Sequence, residues 1–197
     1  MTKHLRPAIV LIALFTLLLG VVLPVLFTSI AGVAVPFQAG GSLLERDGKV
    51  IGSALLGQNF TNEKYFWPRP SAITNPDPND ATKTVPAPYD ATSSGASNLA
   101  PSSKVLVDRV TADVAKLGPA PVPADSVTTS ASGLDPDISP ENASRQIARV
   151  AKARNLPANK IAALVGANTR EPWLGLIGEP RINVLKLNIA LDAQTPG

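Results

Sequence analysis

Between Pro7 and Leu44 the chain carries no Asp, Glu, Lys or Arg. Inside that stretch Ala8 to Ile30 reads AIVLIALFTLLLGVVLPVLFTSI, which as a helix rising 1.5 Å per residue spans roughly 35 Å, against a hydrocarbon core of about 30 Å. Gly20 and Pro24 would weaken a helix in water, yet both are tolerated in lipid, where neighbouring groups satisfy the freed backbone. Lys3 and Arg6 precede the run and Glu45 is the next charge, so the excess of basic residues predicts a cytoplasmic N-terminus. The chain then divides into a cytoplasmic tail (1–7), a transmembrane helix (8–34) and an extracytoplasmic domain (35–197). A cleaved secretory signal ending near Gly32-Val33-Ala34 is the competing reading. The apolar run exceeds the about 7–15 residues of such a signal's core, which favours a retained anchor.

The remaining composition is most useful for what it excludes. Net charge is +3 and part of that comes from Lys3 and Arg6, leaving the rest of the chain nearly neutral. No basic stripe is present to neutralise nucleic-acid phosphates. Cysteine is absent, which excludes disulfides, thiolate nucleophiles and Cys-ligated zinc. The one histidine is His4 in the basic tail, so Ser-His-Asp triads, multi-His metal sites and histidine bases are excluded from the outer domain.

Leu43 to Gln58 is predicted as a hairpin turning at Asp47-Gly48, a dipeptide that tolerates positive φ. Phe60, Tyr65, Phe66 and Trp67 then gather four of nine aromatics into one stretch that Pro68 and Pro70 keep from being helical. Such a cluster serves either as local core or as a docking patch. Thr74 to Tyr89, rich in Pro, Asp, Asn and Thr, is expected to be an irregular surface loop. Helical spacing of Leu106, Val110, Val114 and Leu117 predicts a helix over 102–117 ending at Gly118. The proline-rich 118–127 segment is expected to be a stiff extended connector.

The stretch SGLDPDISPE (132–141) concentrates acids and prolines. Ser139 before Pro140 and Glu141 has the form of a helix start, with Ser as N-cap, Pro at the first position and an acid against the helix dipole. Asp135 and Asp137 just upstream can be read as calcium ligands, as paired acids, or as part of a rigid turn. The loop lacks the glycine and distal Glu of an EF-hand, and the turn is the preferred reading. The helix that follows should bury Ala143, Ile147, Val150 and Ala151. It should display Arg145, Arg149 and Lys152 as a basic row, solvated or partner-docking, with Gln146 among them able both to donate and to accept hydrogen bonds. A short helix over 158–165 is expected to stop at Gly166. Alternation of Leu185, Leu187, Ile189 and Leu191 predicts a terminal strand.

The anchor together with YFWPRPSA (65–72), SGASNLAPSS (94–103), VTTSASGLDPDISPENASRQIARVAKARNL (127–156) and GEPRINVLKLNIALD (178–192) resembles the C subunit of the bacterial Kdp-type, ATP-driven potassium transporter, the KdpC family. The pieces cover most of the chain, in order. Ala96 stands where the family usually has a second glycine, and the 74–89 loop looks longer than typical. The resemblance implies a mixed α/β (α+β) extracytoplasmic domain on one transmembrane helix, acting as a non-catalytic accessory subunit. Its implied partners are a P-type ATPase subunit, a potassium-channel-like subunit and a small membrane peptide. It also implies a catalytic-chaperone role that raises the ATPase subunit's affinity for ATP, with no cofactor held firmly by this chain. Gln146 is the family-based nucleotide contact; Arg145, Arg149, Lys152, Tyr65, Phe66 and Trp67 are the docking candidates. ATP is cytoplasmic, however, and no Walker-type GxxxxGK[ST] is present. A domain that biases the complex toward one state would change ATP affinity by linkage alone. The readings from other classes are an anchored extracytoplasmic hydrolase of Ser-Lys type, for which no Ser-x-x-Lys occurs, and a cleaved, soluble periplasmic binding module.

Overall fold

A computed structural model describes residues 2–118 and 121–194, so Pro119 and Ala120 of the expected connector lie outside the described residues. The apolar run is one continuous helix, Leu5–Ala34, slightly longer than the expected 8–34 span. It consists of α1 (Leu5–Leu17), a π-helical segment (Leu18–Val22) and α2 (Leu23–Ala34). Pro24 explains the π-segment: it has no N–H to donate and its ring crowds the carbonyl four residues back, so the helix widens by one residue there. None of this helix's residues is buried, the pattern of a surface meant for lipid or another helix rather than water. A short α3 (Pro36–Ala39) leads to the hairpin of β1 (Leu43–Arg46) and β2 (Lys49–Ser53), which turns at Asp47 and Gly48, both at positive φ, as expected.

Residues up to Ile51 form one compact unit and those from Gly52 onward another. The second unit is mixed α/β. Its sheet has three antiparallel strands in the order β5 (Asp137–Ile138), β7 (Arg181–Asn183), β6 (Thr169–Arg170), with Ile182 opposite both Ile138 and Thr169. Helices α5 (Pro140–Arg154), α6 (Ala158–Asn168) and α7 (Val184–Asp192) supply most of the core. That core joins Ala143, Val150, Ala151, Ile161, Val165, Ile182, Val184, Leu187 and Leu191, with Ile147 packed against it.

The start of α5 follows the sequence reading. Ser139 accepts a hydrogen bond from Asn142 N–H (3.1 Å), and Asp125 holds Ser139 from outside through its N–H (2.7 Å) and hydroxyl (2.9 Å). Asn155 ends the helix in the left-handed conformation. The first helix of this unit, α4 (Lys104–Leu117), also forms as expected, capped by Gly118 at φ 88°.

Three expectations are corrected. The 74–89 loop is a hairpin, β3 (Thr74–Asp77) with β4 (Asp80–Pro86). Its strands are exposed or half-buried, so backbone pairing and short polar side-chain bonds such as Thr82 to Asp80 give it form, and hydrophobic pattern could not reveal it. Helix α6 runs through Gly166 to Asn168. The terminal strand is mostly helix: β7 stops at Asn183, which N-caps α7 by accepting from Lys186 N–H (3.0 Å). Val184, Leu185, Leu187, Asn188 and Leu191 are all buried. Their spacing is that of a helix; taking Asn188 for a solvent-side residue produced the false alternation. Ala96 has no positive φ, so the missing second glycine introduces no strain at that position.

Candidate functional site: the aromatic strap

The stretch Asn62–Trp67 contains no regular secondary structure, so its backbone groups need partners from elsewhere. Six consecutive carbonyls find them. Asn62 O accepts from the Trp67 indole N–H (3.0 Å), Glu63 O and Tyr65 O from Arg149 (2.6 and 3.0 Å), and Lys64 O from Arg154 (2.7 Å). Phe66 O accepts from Asn188 Nδ2 (3.0 Å) and Trp67 O from Gln146 Nε2 (3.1 Å). The same two carboxamides take the matching N–H groups: Asn188 Oδ1 from Phe66 (2.8 Å) and Gln146 Oε1 from Trp67 (2.7 Å). Two helices, α5 and α7, thus present side-chain amides where a β-strand would present peptide groups. The strap is held as if it were paired in a sheet.

This geometry fixes the standing of each residue singled out in the sequence. Phe66 is wholly buried and is core; as a docking residue it is corrected. Tyr65 is half-buried and its hydroxyl donates to Asp192 (3.2 Å). Burial, then the Asp192 charge, raises its pKa, and Arg154 opposes the shift. Trp67 lies under the Arg149 guanidinium, 3.8 Å from its ring centroid. Burial lowers the Arg149 pKa and Glu63 opposes this. As a uniformly solvated face the basic row is corrected: Arg145 donates to the carbonyls of Leu117 (2.7 Å) and Pro121 (2.9 Å), Arg149 faces the strap, and only Lys152 of the three is exposed. Gln146 makes four hydrogen bonds, the others being to Asn142 Oδ1 (3.0 Å) and from Arg149 (2.6 Å). Both its amide hydrogens and both lone pairs are engaged.

Asp135 and Asp137 resolve into a turn. Asp135 pairs with Arg69 (2.7 Å) and accepts from Asp137 N–H (3.0 Å); Asp137 pairs with Arg181 (3.1 Å). Burial first, then the Asp135 charge, raises the Asp137 pKa, and Arg181 opposes it. Both acids line a cavity of about 820 Å³ beside the start of α5, but several of its charged groups already pair with one another or with backbone. No cluster of three or more His, Asp or Glu side chains suited to a metal occurs among the described residues. No lysine among them is buried, so a Ser-Lys dyad of the hydrolase reading has no buried base.

Sequence reasoning missed Asn188, Arg154 and Asp192. Arg154 bonds Asp192 (2.6 Å) and lies over the Tyr65 ring (4.9 Å). The available signal was Asn188: a lone carboxamide inside an apolar helical face is kept only where it has partners.

One helix long and apolar enough to cross a membrane, followed by a mixed α/β unit in which Gln146, Arg149, Arg154 and Asn188 bond its own backbone, is the make-up of a membrane-anchored accessory subunit. The family profile described as "K+-transporting ATPase, c chain" (KdpC) matches residues 5–193. The chain is 58% identical to the potassium-transporting ATPase KdpC subunit of Methylobacterium nodulans and 59% identical to that of Bradyrhizobium diazoefficiens, covering 98% of each pair. It is 56% identical to that of Rhodopseudomonas palustris over the full length of both chains. The chain therefore belongs to the KdpC family, whose members are accessory, non-catalytic subunits of the potassium-transporting ATPase.

Proposed function

We propose that this chain assembles and stabilises an ATP-driven potassium uptake complex from the extracytoplasmic side, docked on the channel-like subunit. Beside it stand a P-type ATPase subunit and a small membrane peptide. The observation that carries the proposal is the 30-residue apolar helix Leu5–Ala34, preceded by Lys3 and followed by no charge until Glu45. That asymmetry supports a tail on the inner side and an α/β unit on the outer side. From there the chain raises the ATP affinity of the ATPase subunit by preferring one conformation of the complex, and linkage transmits the preference across the membrane. The saturated hydrogen bonding of Gln146 supports this route over direct nucleotide contact and gives Gln146 a structural part in it.

Sidedness is the test. The native chain has no cysteine, so single cysteines at Lys3, Lys152 and Glu179 report without background. In intact cells a membrane-impermeant thiol reagent is expected to label Lys152→Cys and Glu179→Cys but not Lys3→Cys. The reverse pattern would remove the proposal.

A further inference from the structure

Strands β6 and β7 pair with Arg170 opposite Arg181, and the chain between them projects as a finger. Trp173 N–H donates to the Ile177 carbonyl (2.9 Å) and Ile177 N–H to the Trp173 carbonyl (3.0 Å). Leu176 N–H also donates to the Trp173 carbonyl (3.1 Å), closing a turn with Leu174 at φ 53° and Gly175 at φ 70°. The backbone is thereby set, yet the side chains at its tip face solvent: Trp173 is 67% exposed, Leu174 73%, Leu176 86% and Ile177 62%.

Folding does not account for this. A leucine at positive φ is unfavourable where Asn or Gly would serve, and contiguous apolar exposure of this kind marks an interaction site. At the foot of the finger Glu171 and Glu179 are exposed, and neither carboxylate has an ion pair among the described residues, whereas Arg181 is held by Asp137. The segment Glu171–Pro180 contains two acids and no Lys or Arg.

We propose that the Trp173–Ile177 finger is a wedge that seats in an apolar cleft, rimmed by basic side chains, on another protein subunit of the same complex. The inference rests on the assembly reading above and names the contact by which assembly occurs. The unpaired acids select the occupant. An anionic bilayer surface repels them: of the two arginines at the foot Arg181 is held by Asp137, which leaves two acids against Arg170 alone. A second copy of the finger would set like charges against each other. A basic rim around an apolar cleft complements both features, and exposed Trp is the residue type that dominates such contacts.

The full chain, co-expressed with the other subunits and recovered through a tag on one of them, tests this. Leu174→Asp with Leu176→Asp is expected to cut recovery of this chain roughly tenfold or more, while its thermal unfolding in detergent is unchanged. Glu171→Lys with Glu179→Lys should give a smaller loss. A photoreactive amino acid at position 176, which disturbs nothing buried, should form an adduct with another subunit. Wild-type recovery of the Asp variant, or adducts with lipid or with a second copy only, would overturn the finger proposal. Failure of the wild-type chain to be recovered at all would instead overturn the assembly reading.

Discussion

The strap Asn62–Trp67 and the finger Trp173–Ile177 are both short, irregular and aromatic, yet their side chains end in opposite places. In the strap, Phe66 is wholly buried and every carbonyl from Asn62 to Trp67 is capped. In the finger the turn closes on its own backbone and Leu176 is among the most exposed apolar residues of the chain. Aromatic composition does not separate them. What does is the presence of Gln146, Arg149, Arg154 and Asn188 opposite one loop and of nothing comparable opposite the other. A loop becomes core when distant side chains satisfy its peptide groups, because apolar burial without that would strand unpaired donors and acceptors.

The sharpest way to break the comparison is to truncate one ring in each loop. Phe66→Ala should cost about 3–5 kcal/mol in denaturant unfolding of the full chain in detergent, whereas Trp173→Ala should stay within about 0.5 kcal/mol. Equal effects would mean that the two loops do not differ as described. The next largest effect tests the carboxamides. Asn188→Leu leaves both peptide groups of Phe66 buried and unpaired and should cost about 2–4 kcal/mol; Gln146→Leu, nearer solvent, should cost about 1–2 kcal/mol. Slower-exchanging amides at Phe66 and Trp67 in the wild type, lost in the respective variant, would confirm the assignment by hydrogen exchange.

The smallest effect concerns pH at the root of the finger, where Asp137 holds Arg181. Because burial and Asp135 raise the Asp137 pKa, the folded state binds this proton more tightly than the unfolded chain. The group's contribution is therefore full below the ordinary carboxylate value near 4 and declines as pH rises through the folded value. Asp137→Asn should flatten the dependence of thermal midpoint on pH across that window. A slope unchanged from wild type would show that Asp137 is not its source.

Much of the fold was legible where a single local rule operates. The anchor follows from uninterrupted apolarity, the Asp47-Gly48 hairpin from positive φ, and the α5 start from Ser139-Pro140-Glu141. Reading failed where two periods fitted the same letters. Leu185, Leu187, Ile189 and Leu191 alternate, yet Val184, Leu187, Asn188 and Leu191 form one helical face, and the partners of Asn188 decide between them. The β3–β4 hairpin was missed because strands that bury no side chain leave no hydrophobic pattern. At the candidate site the right residues were noticed for the wrong reason: Arg145 and Arg149 looked like a solvated row because sequence shows charge, not the carbonyls that charge will meet.

By itself the order of residues determined that one helix suits a bilayer, that thiol and histidine chemistry are excluded from the α/β unit, and where several elements begin. These depend on neighbours a few positions away or on composition alone. Only the tertiary structure decided that Gln146 and Asn188 serve as backbone partners for residues 79 and 122 positions away, and that one aromatic loop is core while another is left outside. Hydrogen bonding of that range is set by how helices and sheet pack, and no local pattern encodes which carbonyl a side chain will reach.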